Sequence, residues 1–141
     1  MIFLDSNIFL YAYLKPRRVL TEKEKSMKKS AKEILERIES GEQVVISVIH
    51  LSEISNIIES RLGLEKSIKL IETILSMPNI LVVSVSEGDY ILAVDIAKRK
   101  RVSINDAVAY IKMMQLKIKK IYTFDEHFKQ FSDISISCDI K

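Results

Sequence analysis

Four short apolar runs, each separated from the next by a longer stretch of helical periodicity, restrict this chain more than any other feature. They are Ile2-Phe3-Leu4, Val44-Val45-Ile46, Ile80-Leu81-Val82-Val83 and Ile121-Tyr122-Thr123-Phe124. None shows the apolar–polar alternation of a half-solvated strand, so each reads as a strand covered on both faces. Such strands, separated by helices, are joined by crossovers and lie parallel. The expected fold is α/β: a three-layer α/β/α sandwich around a central, mainly parallel sheet of four or five strands. The fifth would be an edge strand at Ile134-Ser135-Ile136.

Capping and breaking residues delimit the helices. Asp5-Ser6-Asn7 precedes Ile8–Leu14, and Pro16 stops that helix. Between Thr21 and Ser40, Ala31, Ile34, Leu35 and Ile38 recur at helical spacing, with Gly41 as the close. Ser47 caps a helix running to about Leu62, with Gly63 as its stop; a further helix spans Leu64 to Ser76 before Pro78. Ser86 opens the next, with Tyr90, Ala93, Val94 and Ala97 on one face, and Ser103 opens another covering Ala107, Val108, Tyr110, Ile111 and Met114. Asp125 starts a short helical turn through Phe128 and Phe131. No repeat, linker or low-complexity segment interrupts the 141 residues, so one domain over 1–141 is expected.

Composition removes several function classes. Only 3 Gly are present and no Gly-rich phosphate loop, which argues against a nucleotide triphosphatase or a dinucleotide-binding dehydrogenase. The lone Cys138 excludes an internal disulfide framework and cysteine-based zinc sites, in keeping with a reducing interior, and makes thiol catalysis a poor reading. No basic leader or long apolar span is seen, so a cytoplasmic protein without a membrane segment is expected. The net charge of +3, from 22 basic and 19 acidic residues, is too small to define a nucleic-acid binder by itself.

In open parallel sheets chemistry gathers beyond the carboxyl ends of the strands. Asp5 directly follows the first strand and Asp125 the fourth; Glu53 lies nearly two turns into the helix after the second strand, and Asp106 in the first turn of the helix opened by Ser103. Each also has a structural explanation. Asp5 and Asp125 stand at N-cap positions, and Ser103-Ile104-Asn105-Asp106 has the form of a capping box with Asp in place of Glu. Glu53 either faces solvent or sits in a mostly apolar helix, where an unpartnered carboxylate is costly. His50, three residues before Glu53, has no second histidine nearby and forms no zinc motif; His127 reads as a surface or capping residue near the site rim.

Taken together, Ile2-Phe3-Leu4-Asp5-Ser6-Asn7, Val48-Ile49-His50-Leu51-Ser52-Glu53-Ile54, Ser103-Ile104-Asn105-Asp106-Ala107 and Ile121-Tyr122-Thr123-Phe124-Asp125-Glu126-His127-Phe128 resemble the PIN domains, in particular VapC-type toxins of VapBC toxin–antitoxin pairs. The resemblance implies that Asp5, Glu53, Asp106 and Asp125 form an acidic metal site for Mg²⁺ or Mn²⁺, one or two ions, with Asn7 and Thr123 supporting it. It implies an endoribonuclease, commonly a homodimer, restrained by a VapB-type antitoxin. PIN domains of rRNA maturation and RNA decay carry similar motifs. Four hard oxygen ligands and no competing His or Cys cluster suit Mg²⁺ chemistry at a phosphodiester.

Between Lys98 and Lys120 eight basic residues face Asp106 alone. Lys98, Arg99, Lys100 and Arg101 are candidates for positioning RNA phosphates, or else a solvated helix end whose cations complement the helix dipole. Two rivals of other classes are a receiver-like signalling domain, which needs an Asp at the end of the third strand where this chain has Val83-Ser84-Val85, and a noncatalytic interaction module.

Overall fold

The computed structural model describes residues 1–137, and Cys138 lies outside them. In chain order the elements are β1 (Ile2–Leu4), α1 (Ser6–Tyr13), α2 (Glu22–Glu39), β2 (Val44–Ser47), α3 (Val48–Leu62), α4 (Leu64–Ser76), β3 (Ile80–Val83), α5 (Glu87–Lys100), α6 (Ile104–Leu116), β4 (Lys120–Tyr122), a 3-10 turn (Glu126–Gln130) and β5 (Ser135–Ile136). The sheet has five strands in the order β3-β2-β1-β4-β5, and every pairing is parallel.

Neighbouring residues of each central strand face opposite layers. Leu4, Val44 and Ile46 pack with α1 to α4 through residues such as Ile8, Ile34, Ile54 and Ile74. Phe3, Val45 and Ile121 pack with α5, α6 and the 3-10 turn through Ala93, Val108, Met113 and Phe128. The strands are apolar without alternation because both faces are covered. Strand order departs from the 2-1-3-4-5 order of receiver domains, and β3 stands at the edge with no acidic residue at its end. The receiver-like alternative is set aside on both counts.

The caps act as the sequence indicates. The side chains of Asp5, Thr21, Ser47, Ser86, Ser103 and Asp125 each accept a backbone N–H at a helix or 3-10 start, and the Thr21 and Ser86 caps close capping boxes. Three details differ from expectation. The fourth strand stops at Tyr122, because the N–H of Phe124 turns to Asn7 Oδ1 (3.4 Å) and that of Asp125 to Thr123 Oγ1 (3.0 Å). On α5 the buried face carries Asp89 and Ala93, while Tyr90 and Val94 are exposed. A polar lock sets this rotation: Asp89 meets Lys112 Nζ of α6 at 2.6 Å and accepts from Gln115 Nε2 at 2.8 Å. On α6, Met113 is buried and Met114 exposed.

Asp89→Ala is expected to lower stability by about 2–3 kcal/mol, since hydrogen bonds to charged groups contribute that much and Lys112 is left unpaired; urea denaturation would read it. Helices α5 and α6 end on Arg101 (φ 58°) and Lys117 (φ 59°), left-handed positions that glycine occupies with less strain. Lys117→Gly is accordingly expected to raise stability by about 1 kcal/mol in the same assay.

Candidate metal centre

Strand order reverses direction between β1 and β4, and the crevice at their carboxyl ends is where the candidate side chains gather. Asp5 leaves β1 while its N–H still bonds to the Tyr122 carbonyl of β4 at 3.0 Å. Its Oδ1 accepts the Ser6 N–H (2.8 Å), capping α1, and its Oδ2 accepts the Thr123 hydroxyl (2.7 Å). Thr123 Oγ1 in turn accepts the Asp125 N–H (3.0 Å) and Asn7 Nδ2 (3.2 Å). One hydroxyl thus ties together the ends of two strands more than a hundred residues apart.

Glu53 reaches the same crevice from α3 and is half-buried with partners on both oxygens. Ser6 donates its hydroxyl to Oε1, and Asn105 Nδ2 donates to Oε2 at 2.9 Å. The chain therefore avoids the unpartnered buried carboxylate that the apolar surroundings of this helix threatened.

Asp106 differs from the other three. Ser103 Oγ accepts its backbone N–H at 3.0 Å, but no reciprocal bond closes a capping box. Its carboxylate turns instead toward Asp125. Asp106 is 7% exposed, and its Oδ2 is buried with no hydrogen-bond partner. Burial, the hydrogen bond to Asp125 and the negative charges of Asp5 and Asp125 push its pKa up to about 8. Burial also acts on Asp125, but the hydrogen bond from Asp106 and the backbone and ring of His127 outweigh it and hold Asp125 below the usual carboxylate value. The opposite shifts are those of two neighbouring carboxyl groups that compete for one proton. Asp5 is raised by burial, which His50 and Thr123 only partly offset.

Beneath Asp5 lies His50, fully buried and edge-on to Phe3 with ring centroids 5.3 Å apart. Ser47 Oγ accepts the His50 backbone N–H (3.2 Å) and is hydrogen-bonded to the ring Nδ1 at 2.6 Å. The other ring nitrogen, Nε2, lies 3.9 Å from Asp5 Oδ1 without forming a hydrogen bond. Burial lowers the His50 pKa despite the nearby charges of Asp5 and Glu53, so the ring stays neutral.

The residues fit a divalent cation. A buried carboxylate oxygen without a donor, facing a second carboxylate, lacks positive charge, and carboxylates are the ligands hard cations take. Asp106, Asp125 and His127 each offer a ligand atom within 4.8 Å of the others. All four carboxylates named from the sequence border this crevice, with Asp5 and Glu53 joined through Ser6 and Glu53 hydrogen-bonded to the neighbour of Asp106. Thr123 bonds Asp5 directly, and Asn7 reaches it through Thr123.

Sequence reasoning did not assign Ser6 and Asn105 to Glu53, nor His50 to the underside of Asp5. One signal was available: His50 and Glu53, three apart, share a helix face. His127 does more than cap, since its ring Nδ1 lies 2.7 Å from Asp125 Oδ1. Tyr11 stands edge-on to Phe124, and Tyr110 stacks on Phe131 with ring centroids 3.9 Å apart, while Tyr13 is exposed. Among the described residues no helix is long and apolar enough to cross a membrane.

Comparison with known proteins agrees with this architecture. No curated protein sequence matches the chain. Several solved structures share its fold. The VapC20 toxin of Mycobacterium tuberculosis, described as cleaving the sarcin–ricin loop, superposes with a TM-score of 0.74 at 19% identity, over 95% of this chain and 97% of that one. VapBC2 of Rickettsia felis, solved with a promoter DNA fragment, gives 0.66 at 19% identity over 97% and 98%. VapBC-1 of nontypeable Haemophilus influenzae gives 0.64 at 22% identity over 98% of each chain. The PIN domain family model matches residues 2–134, so the crevice, its carboxylates and the sheet order converge on one assignment: the chain belongs to the PIN domain family.

Proposed function

We propose that this chain is a metal-dependent endoribonuclease, the toxin of a type II toxin–antitoxin pair, acting in the cytoplasm as a single domain over residues 1–141. The observation that carries the reading is the Asp106 carboxylate, buried against Asp125 with one oxygen unsatisfied, at the sheet's switch point. Asp5, Glu53, Asp106 and Asp125 would hold one or two Mg²⁺ or Mn²⁺ ions. Such an ion, when bound, polarises a phosphoryl oxygen and makes water acidic enough to attack phosphorus. The protein's part is orientation. Thr123 and Asn7 fix Asp5, while Ser6 and Asn105 fix Glu53. Rigid carboxylates of this kind need little reorganisation as charge develops on the phosphate.

The basic run Lys98-Arg99-Lys100-Arg101 is exposed and connects by Val102 to the Ser103 cap of the helix bearing Asp106. It is well placed to hold RNA phosphates. RNA affinity, measured with the cleavage-deficient Asp5→Asn variant, is expected to fall steeply with salt, and Lys100→Gln to reduce the log–log slope by about 0.7. A salt-independent affinity would remove these residues from the interface.

The antitoxin partner is supported by the apolar groove of Leu10, Tyr11, Leu14, Pro16 and Leu20, whose rim carries Glu24, Lys28 and Arg61, and by the toxin–antitoxin complexes among the structural neighbours. A homodimer is supported by the exposed Ile91 and Leu92 of α5 beside Tyr90 and Val94. The decisive experiment incubates the purified protein with labelled RNA, with Mg²⁺, with Mn²⁺ and with chelator. Cleavage that needs the ion and disappears in Asp5→Asn is the expected result; cleavage unaffected by chelator or by that exchange would overturn the assignment.

A further inference from the structure

The geometry points to His127 as a nitrogen ligand that makes this centre select Mn²⁺ over Mg²⁺. This rests on the metal-site part of the reading above and goes beyond its acidic quartet. Asp106, Asp125 and His127 present their ligand atoms within 4.8 Å of one another. Opposite ligands on an ion with bonds of about 2.1 Å are roughly 4.2 Å apart, so one ion reaches all three with small side-chain adjustments. Independently of that spacing, Asp106 is 7% exposed and its buried Oδ2 has no hydrogen-bond partner.

The arrangement around His127 leaves its ring available. The 3-10 cap at Asp125 uses the His127 backbone N–H (2.8 Å), which any residue at 127 supplies. The ring is mostly exposed, and its Nδ1 lies 2.7 Å from Asp125 Oδ1. Mg²⁺ takes oxygen ligands and gives up its waters reluctantly. Mn²⁺ shares the carboxylate sites of Mg²⁺ but, as a first-row transition ion, gains more than Mg²⁺ does from an imidazole nitrogen, although it stands lowest in affinity among those ions. Between the two ions in question, two carboxylates plus one imidazole therefore favour Mn²⁺ over Mg²⁺.

The test uses metal-free full-length protein and its His127→Gln variant, with Mn²⁺ binding measured by electron paramagnetic resonance and Mg²⁺ by competition. Wild type is expected to bind Mn²⁺ at least tenfold more tightly than Mg²⁺, and the Mn²⁺ echo should carry nitrogen modulation. In His127→Gln the Mn²⁺ affinity falls about tenfold, the Mg²⁺ affinity stays within twofold, and the modulation disappears, with an unchanged melting curve without metal. Absence of nitrogen modulation in the wild type, its persistence in the variant, or equal losses for both ions would overturn the proposal. Equal losses would mean that His127 only orients Asp125. A nitrogen-ligated Mn²⁺ in a protein that leaves RNA intact would sink the nuclease reading while this inference stands; cleavage without nitrogen ligation would do the reverse.

Discussion

Asp106→Asn should abolish RNA cleavage, by more than about 100-fold, and at the same time make the metal-free protein more stable at neutral to alkaline pH. Loss of even a group that only supports a metal ligand costs 10–100-fold in affinity or activity, and Asp106 is positioned as a ligand itself. The stability effect follows from its pKa of about 8, far above its unfolded value of 3.8. A carboxyl group with a raised folded pKa binds more protons folded than unfolded. Its contribution is fully present below about pH 4 and is lost as pH rises through about 8. Melting temperature of the metal-free wild type should therefore fall across that window, and the fall should be much shallower in Asp106→Asn. Asp125, held low, acts in the opposite sense at acid pH, so the window is read from the neutral side. Adding Mn²⁺ or Mg²⁺ at pH 8 should raise the wild-type melting temperature through binding to the folded state, and raise that of Asp106→Asn far less. Equal shifts in both proteins would place the ion elsewhere.

Phe128→Ala is expected to cost about 3–5 kcal/mol. Phe128 is 1% exposed and anchors the 3-10 turn into the layer formed with Phe3, Ile121 and Phe131. That turn begins at Asp125, so the loss is not only one of stability. With its anchor gone the turn no longer fixes the Asp125 carboxylate against Asp106. Denaturant titration should show the large destabilisation, and divalent-ion affinity should drop in conditions where the variant is still folded. Phe128→Leu, which keeps most of the apolar volume, should cost far less on both measures.

Much of this architecture could be read from residue order because the signals are local. An apolar run followed at once by Asp, Ser or Thr is a strand ending in a cap, and β1, β2 and their following helices carry that signature. Asp5, Asp106 and Asp125 stood out as candidates for the same reason, since strand ends and first helical turns are recognisable, whereas Glu53, deeper in α3, carries no such local mark. What stayed hidden depends on partners distant in sequence. Tyr90 and Val94 fit an apolar helix face until Asp89 finds Lys112, which turns α5 the other way. Ile121–Phe124 reads as one strand until Asn7 and Thr123 take the N–H groups of Phe124 and Asp125. Helices α5 and α6 lack the glycine that usually marks a terminus, as Arg101 and Lys117 adopt its conformation. His50 looks like one half of a missing zinc motif; its role under Asp5 follows only from β2 lying beside β1.

The bond from Thr123 to Asp5 has a consequence for the birth of the molecule. Synthesis runs from the amino end, and strand β4 inserts beside β1 only after nearly the whole length has left the ribosome. Until then the first carboxylate has neither its hydroxyl partner nor Asp125 across from it. The crevice is thus assembled in a single late step, and a prematurely terminated product lacks it.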